Sequence, residues 1–332
     1  MRHIECANAS DAVTLSAVVE AHEPRRAELL AMGLPVVADL DAVPKDTRAA
    51  IVATPTQNHA AVAANCLSRG WAVLVEKPLT QTLDEATWLC EEARSLGLPL
   101  LTGHHRRCHP FVTEARARIE RLGDLIAVQG IWCLRKHDSY YDAPWRRQPG
   151  AGPIMTNLSH EIDLLHCLAG PIAEVSAMTA NAARGHSVED TTAIALRFEN
   201  GALGTFVMSE AAVSPWAFEA ATGENPAIAV RGDDPLRFMG AAGAMGFPSL
   251  DIWGPSTGAP PDWQHPLVVH VGQTLVRIDG IAAQLDRFAA VAAGASDDLL
   301  ATGWDGLQTM LVLDAIQRSA ATGATISVHS KA

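Results

Sequence analysis

Between residues 14 and 103 short apolar runs and helix-like runs take turns: TLSAVVEA, EPRRAELLAMG, AAIVATP, HAAVAANCLSRG, AVLVEKP, TLDEATWLCEEARSLG and LPLLTG. This alternation constrains the fold more than any other feature. A strand, a helix and a second strand in such short succession close as parallel βαβ units with right-handed crossovers. Gly33, Gly70 and Gly97 each follow a helical run, where a left-handed residue ends a helix. Asp84 and Glu85 stand in the first turn of another, where the helix dipole favours acids.

After about Arg106 the texture changes. PFVTEARARIERLG predicts a helix, LIAVQGIWCLRK a strand, YYDAPWRRQPGAGP a long loop, and HEIDLLHCLAG a second helix. Strands follow in succession, and Asn200-Gly201 between two alternating runs predicts a hairpin with a two-residue turn. From Gly223 to Pro266 glycine and proline predict short strands and loops, and WDGLQTMLVLDAIQRSAATG predicts a closing helix that ends at Gly323. A length of 332 residues with 48% hydrophobic side chains suits two domains with sizeable cores. The expected division is 1–105, an α/β unit, and 106–332, an α+β unit with a mainly antiparallel open sheet.

A formal charge of -12 repels nucleic acid and anionic membrane surfaces, so the expected partners are small molecules and further copies of the chain. No run of eighteen apolar residues occurs, and the N-terminus lacks the order of a signal peptide. The six cysteines form no CxxC pair and no metal-like spacing with histidine, so reduced thiols in the cytoplasm and no metal are expected.

Three stretches carry candidate chemistry. VLVEKP delivers Glu76, Lys77 and Pro78 to the carboxyl end of an apolar strand, beyond which open parallel sheets bind ligands. A lysine there can bind a substrate hydroxyl and favour a developing alkoxide; it can equally be a solvated residue at a strand end. ATPTQNH ends the preceding strand with Thr54, Pro55, Thr56, Asn58 and His59, a polar turn before a helix whose backbone N–H groups can meet a dinucleotide. Simple N-capping accounts for the same residue types. MTNLSHEIDLLHCL puts His160 on a helix with Asn157 and Asp163 one turn away and Thr156 four residues before, a base candidate with groups to orient it. The loop PWRRQPGAGP before it offers Trp145, Arg146 and Arg147 to a substrate or to a contact between subunits or domains.

Taken together these stretches resemble the Gfo/Idh/MocA family, the relatives of glucose-fructose oxidoreductase and inositol dehydrogenase. ATPTQNHA is similar to the family's nicotinamide-side turn, VEKPL to its EKP lysine motif, GHHRRCHP to the exit from its Rossmann domain, and GAGPIMTNLSHEIDLL to the loop and helix bearing the catalytic histidine. The resemblance implies a truncated Rossmann domain to about residue 105 and a second domain whose sheet makes homodimers or homotetramers. It implies hydride transfer between nicotinamide and a hydroxyl or carbonyl carbon of a polyol, cyclitol, sugar or sugar acid. Lys77 would orient the substrate hydroxyl and His160 would act as its base, with Asn157, Thr156, Asp163, Arg146 and Trp145 at the substrate. SAVVEA resembles the second Rossmann strand, with Glu20 placed to accept the adenosine ribose hydroxyls of NAD, while Arg25 and Arg26 could meet the 2′-phosphate of NADP.

Two departures stand out. Many members hold an aspartate four residues before the histidine; this chain has Thr156. The family's first strand and GxGxxG turn have no counterpart before RHIE, where on the order of 10 to 15 residues are expected. The expectation is a start assigned too far downstream rather than a true truncation, and a central sheet gap that weakens cofactor binding. Other readings left open are a cofactor-impaired, non-catalytic ligand-binding homologue and a relative that uses bound NAD for transient oxidation in glycoside cleavage.

Overall fold

The computed structural model describes residues 1–148, 150–272 and 276–328. Two compact units emerge: Met1–His105 with Gly280–Trp304, and Arg106–Asp279 with the chain from Asp305 onward. The sequence places one cut after residue 105, whereas the segment 280–304 returns to the first unit. Its helix Gly280–Ala292 buries Leu285 and Phe288 there. Gln284 Nε2 donates to the Thr102 carbonyl at 3.4 Å and Ser10 Oγ to Asp286 Oδ1 at 2.7 Å.

The first unit holds α1 (Arg2–Ala9), β1 (Val18–Val19), α2 (Glu23–Ala31), β2 (Val36–Val37), β3 (Ala49–Val52), α3 (His59–Ser68), β4 (Ala72–Val75), α4 (Leu83–Leu96) and β5 (Leu100–Thr102). Every strand pairing is parallel, as the βαβ pattern predicts. The strands fall into two sheets, β1-β2 and β3-β4-β5. β4 is buried along its whole length, while β3 buries only Val52 and Val19 of β1 is 40% exposed. Helix α4 starts in a capping box, Thr82 Oγ1 accepting from Glu85 N and Glu85 answering to Thr82 N, and ends at Gly97 with φ 65°.

The second unit holds α5 (Pro110–Ile119), β6 (Leu125–Cys133), a single π turn (Ile154–Leu158), α6 (Ser159–Ala169), β7 (Ile172–Ala180), β8 (Thr191–Phe198), β9 (Leu203–Ser209), α7 (Phe218–Thr222), β10 (Leu236–Gly240), β11 (Ala244–Phe247), β12 (Ile252–Pro255), β13 (Leu267–His270), the helix Gly303–Thr322 from Asp305 onward, and β14 (Ile326–Ser327). Among the described residues one nine-stranded sheet runs β13-β12-β11-β10-β6-β9-β8-β7-β14, with only the β6–β9 pair parallel. β8 alternates strictly: Thr192, Ile194, Leu196 and Phe198 are buried, and the residues between them are not. Gly130 lets Phe206 lie against β6, since a Cβ there would stand 2.3 Å from the ring. The β8–β9 hairpin differs from the sequence reading. Phe198 pairs with Ala202 around three residues, Glu199, Asn200 and Gly201, and Gly201 takes φ 90°. A glycine in the left-handed region fits a three-residue loop as well as a two-residue one. Among the described residues no helix is long and apolar enough to cross a membrane.

Candidate functional site

Each unit carries one half of the predicted chemistry. In the first, β3 and β4 run parallel and side by side, so the turns after Val52 and Val75 open at the same sheet edge. Glu76 N donates to the Val52 carbonyl, which extends the ladder into the EKP turn. The Glu76 carboxylate is held on both oxygens: His3 Nε2 lies 2.6 Å from Oε1, and Lys77 N donates to Oε2 at 3.1 Å. Burial works to raise the Glu76 carboxyl, yet the His3 hydrogen bond, the charges of His3 and His105 and the Lys77 N–H leave it below the usual carboxylate value. Gly103 at the end of β5 permits this packing, because a Cβ there would stand 3.0 Å from Glu76 Oε2. Glu76 therefore fixes the peptide of Lys77 from within the turn.

Thr54, Pro55 and Thr56 follow β3, and Thr56–Asn58 form a short helical turn closed by Asn58 N on the Pro55 carbonyl. The Thr54 Oγ1 hydroxyl is buried with no hydrogen-bond partner among the described residues. A buried hydroxyl in that state has its hydrogen bond to give to a bound group or an ordered water. The residues present thus fit the nicotinamide end of a dinucleotide. His59 does not serve as the sequence suggests: it is 2% exposed, and both ring nitrogens face backbone carbonyls, Pro78 and Thr54, at 2.9 Å. It ties the two turns together instead of meeting a cofactor. Glu20 follows β1 and is half-buried, with Oε1 accepting from His22 N at 2.8 Å. Arg26 donates to the Glu20 and Ala21 carbonyls, and Arg25 pairs with Glu28, so both arginines have local work.

In the second unit the loop before α6 is anchored on Glu189, whose Oε1 accepts from Ile154 N. Gly152 is required there, since a Cβ would meet Glu189 Oε1 at 2.2 Å. Thr156 Oγ1 lies within 3.0 Å of the Gly152 carbonyl and 2.9 Å of Asn157 Oδ1. His160 is half-buried in the first turn of α6, one turn beyond Asn157. Asp163 corrects the sequence reading: it is 1% exposed, and Arg107 Nε and Nη2 hold both its oxygens at 2.7–3.0 Å. A carboxylate sealed in that way anchors its helix and has no oxygen for a substrate. Trp145 is 58% exposed; Arg146 stacks on Tyr140 at 3.9 Å and donates to the Tyr140 carbonyl.

Two features escaped the sequence reading. Arg106 is fully buried, with Glu161 at 2.5 Å, Glu219 at 2.6 Å and Glu224 at 3.2 Å, and Trp132 Nε1 also donates to Glu219. Lys136 reaches Asn157 Oδ1 at 3.0 Å and Glu210 Oε2 at 3.1 Å. Its position just beyond the end of β6, like that of Lys77 beyond β4, was the available signal.

Residues 1–104 match a model described as oxidoreductase family, NAD-binding Rossmann fold, and residues 112–235 match the GFO/IDH/MocA C-terminal domain. Among relatives, 1-carboxy-3-chloro-3,4-dihydroxycyclohexa-1,5-diene dehydrogenase of Comamonas testosteroni is 29% identical over 163 residues, 47% of this chain and 40% of that one. The 1,5-anhydro-D-fructose reductase of Ensifer adhaerens is 31% identical over 173 residues, 48% and 50% of the two chains. The chain thus spans about half the length of these relatives. In fold it is similar to the WlbA dehydrogenase of Bordetella pertussis, solved with NADH and UDP-GlcNAcA, at TM-score 0.75, 23% identity and coverage of 99% of this chain and 95% of that one. The chain belongs to the Gfo/Idh/MocA oxidoreductase family, with an NAD-binding Rossmann fold in its first part.

Proposed function

We propose that this protein is an NAD-dependent dehydrogenase or reductase that acts on a CH–OH carbon of a polyol, cyclitol, sugar or sugar acid. The observation that supports it most is the paired β3 and β4 turns, where a buried hydroxyl without a partner, Thr54 Oγ1, adjoins the EKP lysine. NAD, when bound, supplies the hydride acceptor at nicotinamide C4; Thr54, Glu76 and the Thr56–Asn58 turn would hold that end and Glu20 the ribose. NADP is the alternative, through Arg25 or Arg26. In this reading Lys77 orients the substrate oxygen, and its positive charge favours the alkoxide form. His160 takes the hydroxyl proton as the hydride leaves, and Asn157, Thr156, Arg146 and Trp145 bind the rest of the substrate.

Formation of NADH, followed by absorbance with a panel of polyols, cyclitols and aldonic acids, tests the assignment. Lys77→Ala and His160→Ala should each lower kcat/KM by about 10²–10⁴ with folding intact, the range for losing a general acid or base. Full activity in either variant would remove that residue from the mechanism, and no nicotinamide binding at all would refute the enzyme assignment.

The second unit also suits a homodimer or homotetramer in the cytoplasm. Strand register places Ile131, Val207, Ala193 and Met178 in one row across β6, β9, β8 and β7 on the face opposite the core. Val207 is 41% and Met178 76% exposed. A second copy of this face is the partner we assign to it.

A further inference from the structure

We infer that Lys136 is a positioning residue that sets the Asn157 amide so that Nδ2 presents a donor to the substrate; this rests on the dehydrogenase reading above. An ammonium has three donors and no acceptor, so only Oδ1 of Asn157 can face Lys136 Nζ, 3.0 Å away. The flipped amide would set an N–H against an ammonium. Thr156 is compatible with the choice: its single hydroxyl proton can go to Oδ1, 2.9 Å away, or to the Gly152 carbonyl, 3.0 Å away, so Lys136 alone decides it. With Oδ1 turned to Lys136, Nδ2 is the group left to meet acceptors: a hydroxyl lone pair, a carbonyl or a carboxylate oxygen.

Lys136 is itself fixed on every side. Its Nζ pairs with Glu210 Oε2 at 3.1 Å and lies 4.2 Å from the centre of the Tyr140 ring, and its backbone N–H donates to the Glu210 carbonyl. Glu210 is 2% exposed and accepts a further hydrogen bond from Tyr141 OH. Arg184 donates to the carbonyls of both Lys136 and Glu210, at 2.6 and 3.0 Å. The pair is neutral as a whole, so it does not form an anion site. It is a rigid post against which one side-chain amide, a turn before His160, is oriented. The specificity it confers is for a substrate carrying an oxygen acceptor near the reacting carbon.

The test compares K136M/E210Q, in which no buried carboxylate is left unpaired, with K136R, N157A and the triple variant. The Asn157 side-chain amide resonance, identified by its loss in N157A, should shift in K136M/E210Q and return towards the wild-type position in K136R. With the best polyol, K136M/E210Q should raise KM about tenfold with kcat within about twofold, as for loss of one oriented hydrogen bond. The triple variant should be no worse than N157A, because Lys136 acts through Asn157. Additive effects, an unmoved KM, or an unmoved amide signal would each overturn the inference. The amide signal is read without turnover, so an inactive wild type would refute the dehydrogenase reading and leave this placement to be decided by the spectrum.

Discussion

The imidazole of His59 is seated between two backbone carbonyls, 2.9 Å from Pro78 O at Nδ1 and 2.9 Å from Thr54 O at Nε2. The ring joins the turn that carries the EKP lysine to the turn that carries the buried Thr54 hydroxyl. A ring with one proton donates to one of these carbonyls; a ring with both donates to each. His59→Ala removes the ring, and with it every hydrogen bond that it donates, from a 2% exposed site. Each carbonyl left without a partner costs about 1–3 kcal/mol. The urea midpoint should fall accordingly, and His59→Asn, with one amide donor group, should recover part of the loss. A midpoint equal to wild type would show that the bridge does not hold the turns.

Asp163 and Arg107 make the sharpest distinction between a structural and a substrate role. Both side chains are buried, and the guanidinium holds the carboxylate through three contacts. Asp163→Ala leaves Arg107 to Asp305, at 3.2 Å and 35% exposed. Breaking one side of such a pair costs about 3–5 kcal/mol. Chemical denaturation should show the loss. A raised KM with an unchanged midpoint would instead return Asp163 to the substrate.

How far these roles could be read from the sequence depended on whether a contact was local. The parallel units, the caps at Gly33, Gly70 and Gly97, and the helix of His160 follow from periodicity and turn chemistry within about twenty residues. His59 fitted a cofactor turn by its neighbours; what claims it is Pro78, nineteen residues on. Asp163 fitted the face of His160 by helical spacing, but its partner Arg107 lies 56 residues earlier. Lys136 and Glu210 are 74 residues apart and meet only because β6 and β9 are paired in parallel. The return of 280–304 to the first unit was hidden for the same reason: GIAAQLDRFAAVA, a helix in the structure, says nothing in its own residues about which core receives Leu285 and Phe288.

Three carboxylates converge on one guanidinium at Arg106, so at least one gains by taking a proton. Glu219 accepts from both Arg106 and Trp132, whereas among the described residues Glu161 accepts from Arg106 alone. Burial pushes the Glu161 carboxyl up to about 7, with Glu219 and Glu224 adding to the rise against the opposing Arg106 charge. Because the folded protein holds this proton more tightly than the unfolded chain, the stability contributed is complete below the ordinary glutamate value of 4.5 and is lost as pH rises towards 7. The difference in unfolding free energy between wild type and Glu161→Gln should therefore change across that window, wild type losing stability relative to the variant. A constant difference from pH 4.5 to 7 would show that Glu161 ionises normally.

The open face of the second unit gives a prediction that rests on register alone. Val207 sits between Ile131 and Ala193 in the cross-strand row, and Met178 extends the row through Ala193. A stable interface buries about 800 Å² on each partner, and a carboxylate placed in its centre must be desolvated without a cation opposite. Val207→Glu should convert the assembly to monomer in light scattering coupled to gel filtration, with the urea midpoint of the monomer little changed because residue 207 already faces away from the core. Leu30→Glu, a charge added to an exposed leucine of α2 in the other unit, should leave the mass unaltered. A wild type that is monomeric at micromolar concentration, or a Val207→Glu variant that keeps the wild-type mass, would remove the sheet face as the interface.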